Sequence, residues 1–182
     1  MLSWSPYHCS TTSKDEGWDY RFQCKQNQFG FVVHGLWPQA ADARSVREQP
    51  RNCRQGEALP PALVRANLCT VPGAALMQHE WQSHGTCGWQ EPQAYFAKIQ
   101  ELAQRYKLSA MRLPAGPVSA GDVRKAVMAS NPALLRPQHV GIRIKRGSLQ
   151  EAYICLDLKF APTACGGRQI PDHVRMDVEP VR

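Results

Sequence analysis

The chain of 182 residues has no apolar run approaching the roughly 20 residues that a membrane-spanning helix needs, so no membrane partner is expected. No two of its cysteines form a CxxC pair, which argues against a zinc ribbon. Internal repeats, low-complexity tracts and long linkers are all missing, and the length suits one domain over residues 1–182 with a single sizeable core. The opening residues Met1-Leu2-Ser3-Trp4-Ser5-Pro6 lack the charged start and apolar stretch of a secretory signal. Such a start fits either a mature form or a chain that stays inside the cell. Acidic residues are in the minority: fifteen Asp+Glu stand against twenty-two Lys+Arg, for a formal net charge of +7. That balance favours polyanionic partners such as nucleic acid.

Hydrophobic residues make up 43% and charged residues 20%, as in an ordinary soluble globular protein. Cysteine is the unusual component. Cys9, Cys24, Cys53, Cys69, Cys87, Cys155 and Cys165 are spread along the chain without metal spacing. This pattern implies disulfides and an oxidising compartment, hence a periplasmic or secreted protein, with one thiol left over.

Periodicity divides the chain into strands near its two ends and helices between them. Phe29 to His34 is aromatic and β-branched and reads as a buried strand that delivers His34 at its end. Residues 40–56 read as a polar loop. Helices are expected over 60–68, 73–84 and 91–107, the last from Tyr95, Phe96, Ile99, Leu102, Ala103 and Tyr106 at i, i+3, i+4 spacing. Ser119 followed by Asp122 signals a capped helix through about Ala129. Alternating apolar residues predict strands at 140–145, 153–160 and 174–178. The expected class is α+β, with a mainly antiparallel sheet and packed helices.

Two segments carry chemistry. His79-Glu80-Trp81-Gln82-Ser83-His84-Gly85-Thr86-Cys87 places three groups able to handle protons or charge within six residues. On a helix, Glu80 and His84 lie on nearly one face, and a carboxylate beside an imidazole raises its pKa and orients it. His34-Gly35-Leu36-Trp37-Pro38 supplies another histidine beside an aromatic ring. Two histidines held across one substrate act as base and acid in one reaction, as metal-free RNA cleavage requires. A zinc-protease reading fails on spacing. H-E-x-x-H puts its ligands four apart. His79 and His84 are five apart and diverge by about 140° on a straight helix. No metal or cofactor is therefore expected. Trp37, just before Pro38, reads either as core or as a stacking face for a base, and the turn favours stacking. Trp81 reads as core.

Together the segments HGLWP (34–38) and HEWQSHGTC (79–87) resemble the ribonuclease T2 family, and with Leu2-Ser3-Trp4, Cys9, Cys155 and Cys165 the resemblance covers nearly the whole chain. It implies an α+β domain acting as a metal-independent endoribonuclease, in which a ribose 2′-hydroxyl attacks phosphorus to give a 2′,3′-cyclic phosphate. By the resemblance, His84 is the base and His34 the acid. Glu80 assists the phosphorane, His79 holds phosphate and Trp37 lines a base site. The implied partner is single-stranded RNA, and a monomer is expected. The resemblance also suggests Cys53–Cys87 and Cys155–Cys165 as disulfides, with Cys9–Cys24 as a local pair.

Ser83 departs from the pattern, because the family carries lysine there. Losing a cation aimed at the transition state costs about 10²–10³ in rate. The alternatives are a loop Arg or Lys in its place, or a catalytically weakened RNA-binding protein of the same fold. Gln39 stands where some members place an acidic base-reading residue, which leaves base preference open.

Overall fold

Strand and helix segments succeed one another as β1 (Leu2–Trp4), α1 (Ser5–Thr11), α2 (Trp18–Arg21), β2 (Phe31–Val33), α3 (Pro61–Asn67), α4 (Ala74–Ser83), α5 (Pro92–Arg105), β3 (Gly116–Ser119), α6 (Ala120–Ala129), β4 (Val140–Lys145), β5 (Ser148–Ile154) and β6 (Arg175–Val178). The computed structural model describes residues 1–12, 17–43, 45–133 and 135–181. They group into two units, one of Met1–Val32 with Tyr106–Arg182 and one of Val33–Arg105.

The first unit is built on the sheet, in the order β2-β1-β5-β6-β3 with β4 also paired to β5. β1, β4 and β5 pair antiparallel, as do β3 and β6, and a parallel bridge at Ser148 and Asp177 joins β5 to β6. The α+β class with a mainly antiparallel sheet is therefore as expected. Val140, Ile142, Leu149, Ala152, Met176 and Val178 bury one side of the strands, and Trp4 packs edge-on against Phe31 at 4.9 Å. The capping box at Ser119 is present: its Oγ accepts from the Asp122 N–H, and Asp122 Oδ2 accepts from the Ser119 N–H. A cap of this kind stabilises a helix by about 0.5–2 kcal/mol.

The strand expected over 153–160 is displaced. β5 ends at Ile154, and the chain then turns within the Cys155–Cys165 disulfide. Asp157 Oδ1 accepts from the N–H groups of Lys159 and Ala161, and Phe160 takes φ +59°. Leu158, placed on the apolar face by alternation, is 98% exposed. A side-chain turn has captured the backbone groups that a ladder would have used.

The second unit is mainly helical. Along α5 the apolar stripe Tyr95, Phe96, Ile99 and Leu102 is buried, and so are Met77 and Trp81 of α4. A short 3₁₀ turn, Gly85–Cys87, follows α4. A Cβ at Gly85 would stand 2.3 Å from the Trp81 ring and 3.1 Å from the Tyr95 ring, so only glycine lets this turn close onto the core. The disulfides Cys9–Cys24, Cys53–Cys87 and Cys155–Cys165 are those suggested above, and Cys69 is a free, exposed thiol. Among the described residues, no helix is long and apolar enough to cross a membrane.

Candidate active site

Strand β2 delivers His34 as the reading of Phe29 to His34 predicted. The Val33 N–H donates to Thr70 O at 2.9 Å, and His34 follows on a stretch without regular structure. Tyr95 then clamps that stretch. Its hydroxyl accepts from the Leu36 N–H at 3.1 Å and donates to the Leu36 carbonyl at 3.3 Å. The phenol is fully buried, and burial pushes its pKa far above the ordinary value.

Glu80 sits at the centre. It is 1% exposed, and its Oε2 accepts from the Trp37 indole N–H at 2.6 Å while Oε1 lies 3.5 Å from His34 Nε2. Burial raises its carboxyl pKa, against opposing pulls from His34 and the indole N–H. The carboxylate passes directly over Gly35: a Cβ there would lie 1.9 Å from Oε2 and 2.7 Å from Trp37 Nε1. Gly35 is thus required by close approach.

His84 is not on the helix. α4 ends at Ser83, and His84 takes φ −128° and ψ −42°, with its N–H still donating to Glu80 O at 2.9 Å. Its ring stacks on Trp37 with centroids 4.6 Å apart and planes 21° apart, while His34 meets the same indole edge-on at 5.4 Å. The two imidazoles, fifty residues apart in sequence, therefore share one aromatic ring.

The expectation that Glu80 lies beside His84 and raises its pKa is reversed. The helix ends before His84 and turns its ring onto Trp37, while the Glu80 carboxylate goes to Trp37 and His34. His84 is 6% exposed, and its pKa is lowered to about 4, first by burial, then by the positive charge of Arg51 and by His79 and His34. Its Nδ1 is buried and has no hydrogen-bond partner among the described residues.

The remaining candidates fall differently. His79 is exposed, and its charge bears on both Glu80 and His84. Trp37 is half-buried. One ring face is taken by His84 and its N–H by Glu80, so it braces those two side chains rather than standing as a free stacking platform. Ser83 is 4% exposed, and its carbonyl accepts from the Asn52 N–H at 3.0 Å. Trp81 is fully buried, as its core reading required.

The segment before α3, read as a polar loop with Cys53 suggested as its tie, is held by more than that disulfide. Cys53–Cys87 ties it to the end of the segment 79–87, with Cα atoms 5.0 Å apart. The Arg54 guanidinium lies 5.2 Å over the Trp81 ring and donates to the carbonyls of Trp89 and Gln90. Gln78 accepts from the Leu59 N–H and donates to Glu57 O. A polar loop rich in arginine looks solvated in sequence, and the one signal of its docking was Cys53. Tyr95 carried no signal beyond its place in the α5 stripe.

Comparison with known proteins agrees with this geometry. A sequence model of the ribonuclease T2 family matches residues 1–120. A "Probable ribonuclease" of Haemophilus influenzae is 38% identical over 170 residues, covering 90% of this chain and 58% of its own length. A "Ribonuclease" of Aeromonas hydrophila is 33% identical over 163 residues, covering 86% of this chain and 69% of its own length. The chain thus spans little more than half of the Haemophilus relative. Among solved structures, trichomaglin, described as an S-like ribonuclease, superposes with a TM-score of 0.71 at 20% identity, covering 100% of this chain and 96% of its own. An RNase-related protein from Calystegia sepium gives 0.72 at 15%, covering 100% and 95%. RNase NT, solved with 5′-AMP, gives 0.66 at 16%, covering 98% and 95%. The two histidine segments, the three disulfides and these matches agree, and the chain belongs to the ribonuclease T2 family.

Proposed function

We propose that this protein is a metal-independent endoribonuclease of single-stranded RNA, acting as a monomer in the periplasm or outside the cell, with both units forming one functional domain. The observation that carries the reading is the pair of imidazoles of His34 and His84 on one indole, with the Glu80 carboxylate bonded to that indole and beside His34. His84, with its pKa held near 4, is neutral at physiological pH, the state a general base needs.

In the first step His84 takes the proton of the ribose 2′-hydroxyl, and the 2′-oxygen bonds to phosphorus. The bond from phosphorus to the 5′-oxygen breaks, and His34 gives that oxygen its proton. In the second step the roles exchange: His34 accepts a proton from water, the water oxygen attacks phosphorus, and the 2′-oxygen leaves with the proton held by His84. Products are a 2′,3′-cyclic phosphate and then a 3′-phosphate. Glu80 fixes Trp37 and orients His34 beside the developing phosphorane, and exposed His79 attracts phosphate. DNA, lacking the 2′-hydroxyl, is inert.

The test is digestion of RNA in excess chelator with analysis of the ends. Cyclic-phosphate and 3′-phosphate ends, with no digestion of DNA, are expected. RNA bound but uncut would favour the weakened RNA-binding reading that Ser83 raises. Loss of activity in chelator and its return with zinc would replace the mechanism with a metal-dependent one.

A further inference from the structure

The reaction proposed above builds negative charge on phosphorus between two imidazoles and a carboxylate. The segments 34–38 and 79–87 contain no lysine or arginine to meet it. Ser83, where the family motif has lysine, is buried and short. Its carbonyl, however, is the anchor of another segment: it accepts from the Asn52 N–H at 3.0 Å, and Asn52 takes φ +50° as the chain turns there. The next residue, Cys53, is bonded to Cys87. Beyond it Arg54 lies on Trp81 and Gln78 ties down Glu57 and Leu59. The residue just before this anchored turn is Arg51, whose side chain is exposed.

Resting on the ribonuclease reading, we propose that Arg51 is the cation of this active site, supplied from the loop, where it binds the scissile phosphate and stabilises the phosphorane. Three features fit that task. Its backbone neighbour is hydrogen-bonded to the residue that precedes the base, so its stem starts beside His84. The backbone that carries it is held by a disulfide and by side-chain bonds just beyond it, which limits the reorganisation left to its side chain when substrate arrives. Arginine's planar fork pairs two donors with two phosphate oxygens, which a single ammonium does not. Of the charged groups acting on His84, Arg51 has the largest effect, and it disfavours imidazole protonation. The same guanidinium therefore serves both the phosphate and the base.

The experiment is single-turnover cleavage of a dinucleoside phosphate by wild type, Arg51→Ala and Arg51→Lys, with binding of the 2′-deoxy analogue measured alongside. Removing a preorganised charge costs about 10²–10³ in a dry site, and more water reaches the exposed Arg51, so Arg51→Ala is expected to lose roughly 10–100-fold in kcat. Analogue binding should fall far less, because the charge acts chiefly on the transition state. Arg51→Lys should keep part of the rate. Ser83→Lys in the Arg51→Ala background should restore some of it, since the two positions flank one hydrogen bond. The acid limb of the pH profile should move upward in Arg51→Ala, because His84 protonates more readily once the positive charge is gone, with His79 and His34 still acting on it. Undiminished kcat in Arg51→Ala, with wild type cleaving normally, overturns the proposal, and so does an Arg51→Lys as slow as the alanine variant. A wild-type protein that leaves RNA intact overturns the nuclease reading and this proposal with it.

Discussion

His84 shows how one residue's chemistry depends on where its helix stops. One further turn of α4 would have kept the imidazole on the helix face that carries Glu80. Ending the helix at Ser83 lays the ring on Trp37 and buries it. The sign of the consequence is definite. A base works only when unprotonated, so activity is lost as pH falls through its pKa, here about 4 rather than the ordinary 6.5. The acid limb of kcat/KM is expected near pH 4, and NMR titration of the His84 imidazole should show the same midpoint. A midpoint near 6.5 would contradict the burial argument. Replacing either His34 or His84 by alanine should lower kcat by about 10²–10⁴-fold, the usual worth of positioned proton transfer. Wild-type rates from either variant would remove its assignment.

Among the elements, the segment after β2 depends most on a single atom's absence. At Gly35 a methyl group would stand 1.9 Å from the Glu80 carboxylate oxygen. Gly35→Ala should break the Trp37–Glu80 hydrogen bond, a charge-assisted contact worth about 1.5–3 kcal/mol. Misplacing catalytic groups by an ångström costs roughly 10²-fold. A lower melting temperature and a fall in kcat of that order are expected. Unchanged values of both would mean the carboxylate moves aside freely. Much of this scale was legible in the sequence. The α5 stripe, the Ser119 cap and a strand leading to His34, shorter than the stretch 29–34 and ending at Val33, each follow from local periodicity or capping. Elements decided by a few residues were not. α1 has Pro6 in its first turn as its start signal, a single residue with no apolar periodicity behind it. β3 is four residues containing Gly116 and Pro117, too short and too irregular to alternate. At 153–160 the alternation was real, but Asp157 and a disulfide turned the chain out of the sheet. The two histidine segments stood out in the sequence because each is dense in groups able to handle protons. The pairing of Glu80 with Trp37 and His34 did not, because it joins segments 43 and 46 residues apart.

At the scale of the whole molecule, the excess charge does not lie in the unit that holds the proposed catalytic groups. Residues 33–105 carry seven Lys+Arg and six Asp+Glu, whereas the other unit carries fifteen and nine. The proposed catalytic residues and most of the net positive charge are thus divided along the chain. A dinucleoside phosphate needs only the site in residues 33–105 and presents one phosphate to a nearly neutral unit. On the ribonuclease reading, a long RNA presents many phosphates to a chain of formal net charge +7. Each phosphate neutralised on a single strand contributes about −0.7 to the slope of log affinity against log salt concentration. The slope of log kcat/KM should therefore be shallow for the dinucleotide and several times steeper for a long single strand. Measuring both between low and physiological ionic strength distinguishes the cases. Equal slopes would mean that the +7 charge keeps the protein soluble without helping it capture substrate.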